Sequence, residues 1–334
     1  MASIRDFEPF GEAHEDWITS LVMDQLCTLV CSASMDKTVK LWDLRTGAML
    51  QDLPHHDWVR QARVNADAGQ VISCCWDGVV VWDVQVNTDG GAKDEKKVFA
   101  GRAINETQAA HKGPCYCCHH AGNDGLRLLT GGQDRALSLW DIETGQRLST
   151  TDTFHAWGIT VISFSPVNDG LRLTADEAGH VVLVELTNTN LPVAAFDAHT
   201  HEITGVAWRP GGGGLATASG DATVKVWDWP SRETTGGLFK LNKEPHRVLR
   251  HPEAVTGVLW GSGGVRRTGL IVSACHDAKV RLWDVHKSEV VAYLEGHTQA
   301  VTCLVWTPDE TRLITGSKDG SMKSWDTSPF ILES

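Results

Sequence analysis

The sequence predicts an all-β protein assembled from seven copies of one small antiparallel sheet. Three observations carry that prediction. The segment CSASMDKTVKLWD (31–43) returns in outline as TASGDATVKVWD (217–228), SACHDAKVRLWD (273–284) and TGSKDGSMKSWD (315–326). Apolar residues between these anchors alternate with polar ones at period two, the mark of a strand with one face covered. Gly, Pro and Asp punctuate the runs at short, regular intervals, as hairpin turns do.

The anchors fix the number of units. Tryptophans recur at Trp42, Trp82, Trp140, Trp227, Trp283 and Trp325, and the interval from Trp140 to Trp227 is about twice the usual one. A degenerate copy is therefore expected between them. LTADEAGHVVLVELT (173–187) supplies it, with Val184 and Glu185 where the others have Trp-Asp. Every unit opens on a His followed four residues later by an apolar residue or Cys: His14, His55, His111, His155, His199, His251 and His297. A hydroxyl comes next, at Ser32, Ser73, Thr130, Thr174, Thr217, Ser273 and Thr315. Four positions later stands an Asp, at Asp36, Asp77, Asp134, Asp221, Asp277 and Asp319, with Ala178 in the fourth unit.

Runs such as ITGVAW, TVKVW and VTCLVW read as strands, roughly four to a unit. The unit boundaries fall near 14–53, 55–100, 111–150, 155–196, 199–249, 251–294 and 297–328, within one domain spanning 1–334. RPGGGG (209–214) and SPVNDG (165–170) read as hairpin turns inside units. The first lacks the Gly-Lys-Ser/Thr that a phosphate loop requires.

These motifs, over essentially the whole chain, resemble the WD-repeat β-propellers. The resemblance implies seven four-stranded blades around a central channel. It also implies that the N-terminal segment 3–10 supplies the outer strand of the last blade and closes the ring, because the tail after Trp325 is too short for another turn and strand. The chain before His14 shows no helical heptad arm of the kind through which G-protein β subunits pair.

Composition bounds the rest. Hydrophobic residues make up 42% and charged residues 22% of the 334, with nothing near the run of apolar residues that a membrane-spanning helix needs. The first residues carry charges where a secretory signal would be apolar. With nine cysteines, an odd number, the expectation is reduced thiols in the cytosol or nucleus, and the sequon at Asn105 is read as unused. A net charge of −12 disfavours broad contact with nucleic acid or anionic lipid.

His, hydroxyl and Asp together suggest a nucleophile triad. The donor and acceptor inventory gives a different reading. An indole N–H only donates, a hydroxyl and a neutral imidazole do both, and a carboxylate only accepts. Trp to Ser/Thr to His to Asp is thus a one-way chain with every link satisfied. A catalytic set is needed once, in a cleft, whereas this set recurs six times with a Trp attached. The reading is a structural brace with no catalytic residue, no cofactor and no metal. In the fourth unit, Ala178 and Val184 remove the last acceptor and the first donor, leaving a weaker or more specialised blade.

Function is expected on the face bearing the loops before the His of each unit, at the channel mouth. By family analogy two position classes lie there. Residues two or three after the His give Trp17, Trp58 and Trp157. Residues just before the brace Asp give Met35, Trp76, Gln133, Glu177, Gly220, His276 and Lys318. Trp and Met are suited to interface hot spots. Trp17 and Trp58 either meet a partner or pack on the next blade. The connectors 83–109 and 230–247 are long, are read as running from one blade to the next, and are expected to overhang this face. CYCCHH (115–120) lacks zinc-ligand spacing and is read as core substitution, with Cys117 opposite Cys115 only if the alternation is irregular.

The resulting expectation is a scaffold or adaptor that binds protein partners in a multiprotein complex. A narrower alternative reads Trp42-Asp43-Leu44-Arg45 as similar to the signature of substrate receptors of cullin-based ubiquitin ligases.

Overall fold

A computed structural model describes residues 2–3, 6–7, 10, 13–24, 28–65, 69–76, 78–83, 101–104, 111–121, 126–152, 154–166, 171–185, 192–228, 244–261 and 269–332. The described strands form seven sheets, six of four strands and one of five. Each sheet is a blade of a β-propeller. The seven inner strands are Ile18–Met23, Val59–Asn65, Cys115–His120, Ile159–Phe164, Ile203–Trp208, Val255–Trp260 and Val301–Trp306. Each touches the inner strand of the next blade, and the seventh touches the first, so the ring is closed.

The ring's core lies between blades. Second strands such as Leu29–Ser34, Gly214–Ser219 and Leu270–Cys275 are buried along their whole length. A strand covered on both faces loses the alternation of an ordinary antiparallel sheet. Here the second strands also take small residues, Ala33, Ala216, Ala218 and Ala274, which let neighbouring sheets approach. Each blade interface has its own apolar cluster. Val226 and Leu249 of blade five pack with Val258 and Ile271 of blade six, and Ile314 and Met322 of blade seven pack with Ile18 and Trp42 of blade one. Outer strands are half-exposed, as in Met49–Pro54.

Closure uses the N-terminus in two pieces where the sequence suggested one strand over 3–10. Asp6–Phe7 pairs antiparallel with Trp325 and Ser324, completing blade seven. Ala2–Ser3 pairs parallel with Ala292 and Tyr293, adding a fifth strand to blade six. Phe10 then packs edge-on against Trp42, with ring centroids 6.0 Å apart. After Trp325 the described residues include a short helix, Ser328–Leu332.

The long connectors lie elsewhere than expected. Gly101–Ile104 pairs with Val79–Trp82 as the outer strand of blade two, and Arg247–Arg250 pairs with Thr223–Val226 as the outer strand of blade five. The intervening segments therefore join the third and outer strands of a single blade. They leave from Asp83 and Asp228, at the end of the third strand opposite the brace turn, and do not start from the docking face. Residues 84–100 and 229–243 lie outside the described residues. The RPGGGG turn holds Gly211, Gly212 and Gly213 all at positive φ (79°, 84° and 78°), a run that side-chain-bearing residues resist.

Candidate functional site: the channel mouth and its braces

The brace is present in full in blades one, three, five and seven. In blade one the Trp42 indole donates to Ser32 Oγ at 2.9 Å, Ser32 lies 2.6 Å from His14 Nε2, and His14 Nδ1 reaches Asp36 at 2.7 Å. Blade three repeats this through Trp140, Thr130, His111 and Asp134 at 2.9, 2.9 and 2.8 Å. Blade five does so through Trp227, Thr217, His199 and Asp221 at 2.9, 2.7 and 2.9 Å. In blade seven Trp325, Thr315 and His297 are linked at 2.9 and 2.7 Å, and Asp319 accepts from His297 at 3.3 Å. Proton positions follow from the inventory: the indole can only donate and the carboxylate only accept. Burial alone would raise the pKa of Asp36, Asp221 and Asp319. Hydrogen bonds from their histidines and from Thr38, Thr223 and Ser321 outweigh it and hold all three well below the usual carboxylate range.

The even-numbered blades depart from the pattern. In blade two, Trp82 donates directly to His55 Nε2 at 3.2 Å beside Ser73, and His55 Nδ1 turns to the Leu53 carbonyl at 2.9 Å. Asp77 lies outside the described residues. In blade six, Trp283, Ser273 and His251 are linked, but His251 Nδ1 faces the Leu249 carbonyl at 3.3 Å. Asp277 is not its acceptor. The Arg281 guanidinium takes Asp277 in a two-pronged contact, one prong at 3.1 Å. The reason is local chemistry. Blades one and five carry Lys40 and Lys225 where blade six has Arg281, and these ammonium groups reach backbone carbonyls at Ala13 and Ala198. An arginine fork fits a carboxylate with two bonds.

Blade four corrects the expectation that its acceptor is lost. Ala178 does vacate the usual place, but Asp176, two residues earlier and fully buried, accepts from His155 Nδ1 at 2.9 Å. His155 keeps Thr174 at 2.8 Å. The brace has lost only its indole, replaced by Val184.

The seven brace hydroxyls are fully or almost fully buried. That burial suits a structural role better than that of a nucleophile meeting a substrate.

The two position classes expected at the mouth meet through one repeated backbone bond. Met35 N–H donates to Trp17 O, Trp76 to Trp58 O, Glu177 to Gly158 O, Gly220 to Glu202 O, His276 to Ala254 O and Lys318 to Ala300 O. The residue before the Asp position is thereby fixed beside the loop that enters its blade. A cavity of about 290 Å³ on the ring axis takes lining residues from all seven blades, including Trp17, Met35, Glu177, His276 and Lys318. Trp17, Trp58, Trp76 and Trp157 are 38, 43, 42 and 56% exposed. Lys318 Nζ sits 3.7 Å above the Trp17 ring, and Trp58 meets Trp76 edge-on at 6.0 Å. Trp58, Trp76 and Trp157 do not line the cavity. Burial and then the Lys318 charge lower the His276 imidazole.

Two mouth residues escaped the sequence reading. Every inner strand carries a β-bulge at its second residue, breaking register between Ile18 and Ser20, Val59 and Gln61, Cys115 and Cys117, and so on round the ring. A bulge re-aims the extra side chain. In five blades that residue is Thr, and its hydroxyl ties one blade to the next: Thr19 to Val59 O at 2.6 Å, Thr160 to Ile203 O at 2.6 Å, Thr204 to Val255 O at 2.7 Å, Thr256 to Val301 O at 2.5 Å, and Thr302 to Ile18 O. Blades two and three have Arg60 and Tyr116 instead, the guanidinium 5.2 Å from the Tyr116 ring centre, and both line the cavity. Burial and then Glu177 raise the Tyr116 phenol. The signal was available: these are the two non-Thr residues one place after the first strand residue.

The same bulge gives the irregular alternation in CYCCHH. Cys115 and Cys118 pack with Cys74 between blades two and three, while Cys117 packs with Ile159 toward blade four. Among the described residues, no group of three His, Cys, Asp or Glu side chains is placed to hold a metal.

Comparison with known proteins agrees with this geometry. The family model described as WD domain, G-beta repeat matches residues 7–43, 47–83, 104–141, 190–228, 243–284 and 288–326. The unmatched stretch between 141 and 190 holds most of blade four, where Val184 replaces the indole. A guanine nucleotide-binding protein subunit beta from Zea mays is 24% identical over 329 residues, covering 94% of this chain and 81% of that protein. A ribosome biogenesis protein WDR12 homolog from Ixodes scapularis is 26% identical over 324 residues, covering 94% of this chain and 65% of that protein. The nuclear distribution protein nudF of Aspergillus niger is 24% identical over 328 residues, covering 89% and 66%.

Proposed function

The chain is a member of the WD-repeat family, and from that premise we propose that it is a non-catalytic scaffold or adaptor, docking partner proteins on its channel-mouth face. The observation that carries the reading is the exposure of Trp17, Trp58, Trp76 and Trp157, each more than a third open to solvent, on the loops of that face. Large aromatic side chains held in the open by rigid backbone are what hot spots are made of, since they bury much area while losing little rotamer freedom. Two of the relatives are by name a subunit of a larger protein and a ribosome biogenesis factor, which supports a role in assemblies. The eight described cysteines are free thiols, in keeping with a cytosolic or nuclear setting.

Affinity purification tests this with the wild type beside a Trp58→Ala plus Trp76→Ala double variant. Loss of the recovered partners from the double variant supports the docking face, and recovery of the same partners by both rejects it. One observation favours the narrower ligase reading: Arg45 is exposed at the end of the third strand, while Trp42 is buried in its brace. A ligase adaptor that co-purifies with the wild type and is lost on Arg45→Ala supports that reading, and unchanged recovery removes it.

A further inference from the structure

Below the ring of bulged residues the channel changes character. A second cavity of about 370 Å³ lies there, sharing Arg60, Tyr116 and the threonine belt with the mouth and continuing past Arg63 and His119. Among the described residues that line it there is no Asp or Glu, in a chain whose net charge is −12. Two guanidinium groups face this space from one strand, and among the described residues neither has a carboxylate partner. Arg60 stacks on Tyr116, and its Nε, although buried, has no hydrogen-bond partner. Among the described residues Arg63 bonds only through its Nε, to the Cys118 carbonyl at 3.2 Å, which leaves its terminal nitrogens for another acceptor. Across the axis, blades five and six contribute Gly205 and Gly257 to the lining, with neutral residues on either side of them.

Half-buried cations without a counter-charge are costly, and proteins meet that cost with a paired anion. The surroundings register the unmet charge: burial first, and then Arg63, push the His119 imidazole down to about 3 and lower His120 as well. Two guanidinium forks call for an anion carrying close to two charges with oxygens spread for bidentate contact. A phosphoryl group meets both requirements near neutral pH, with a charge of about −1.5 to −2.

We propose that the lower channel is a binding site for a small phosphoryl-bearing anion, held between Arg60 and Arg63. Arg60 is shared with the mouth, whereas Arg63 lines only the lower cavity, so Arg63 variants probe this site apart from the exposed tryptophans of the docking face.

The test is calorimetric titration of the full chain with inorganic phosphate and with pyrophosphate, against chloride and acetate at matched ionic strength. The expected result is one saturable site for the phosphoryl ligands. Arg63→Gln weakens binding at least tenfold, and Arg63→Lys, which keeps the charge but not the fork, falls between. If Arg63→Gln does not fold, as judged by its circular dichroism, Arg60→Gln serves in its place with the same expected loss. The Trp58→Ala plus Trp76→Ala variant binds phosphate like the wild type, so failure of the docking reading and failure of this one are told apart. The proposal is overturned by no saturable binding in the wild type, by equal binding in the glutamine variant, or by chloride and acetate binding as tightly as phosphate.

Discussion

Replacing Thr217 by Val removes one oxygen at the centre of the blade-five brace and almost nothing else. That hydroxyl is fully buried, accepts from the Trp227 indole at 2.9 Å and lies 2.7 Å from His199 Nε2. Without it, an indole N–H and an imidazole nitrogen are both stranded where water cannot reach them. Each stranded group costs about 1–3 kcal/mol. The His199–Asp221 bond survives and the added methyl recovers a little, so the expected loss is about 3 kcal/mol. Thr217→Ser keeps the oxygen and gives up one methyl, for a loss of about 1 kcal/mol. Urea unfolding followed by tryptophan fluorescence reads the difference as a shift in midpoint. If the Val protein unfolds at the same urea concentration as the Ser protein, the hydroxyl is no hub and the brace argument fails.

Two further outcomes follow from the departures in the even blades. Double-mutant cycles should find coupling of about 1 kcal/mol or more between His199 and Asp221 but almost none between His251 and Asp277, whose partner is Arg281; equal coupling in both pairs would contradict the geometry. Burial and then Arg281 push His251 down from 6.5 to about 4, so the folded state favours the neutral ring. Its contribution to stability is complete above the ordinary value and is lost as pH falls from 6.5 toward 4, a difference worth about 3 kcal/mol. His251→Gln should remove about that much from the acid destabilisation measured between neutral pH and about pH 4, and an unchanged profile would reject the assignment.

The ring of seven blades was readable because its cause is periodic. Trp, Ser/Thr, His and Asp are complementary in what they donate and accept, and six near-repeats make that complementarity visible in one dimension. What escaped depends on competition in three dimensions. Asp176 was missed because counting four from the hydroxyl finds Ala178, whereas the hydrogen bond asks only for an oxygen within reach of His155. Asp277 was assigned to His251 because spacing does not reveal that Arg281 would outbid the imidazole. Arg60 and Tyr116 were passed over because a strand pattern assigns faces by parity, and a bulge at that residue breaks parity. The connectors were misplaced because the outer strands of blades two and five are short and follow long insertions, so the third-to-outer connection looked like a passage between blades.

The docking face is tested most directly by hydrogen exchange on the chain alone and on its complex with a co-purified partner. Slowed exchange on binding in segments 14–19, 56–60 and 74–76, with the outer strands unchanged, is the predicted result. Slowing confined to outer strands such as Met49–Pro54, with those three segments unaffected, would place the partner on the rim and contradict the account.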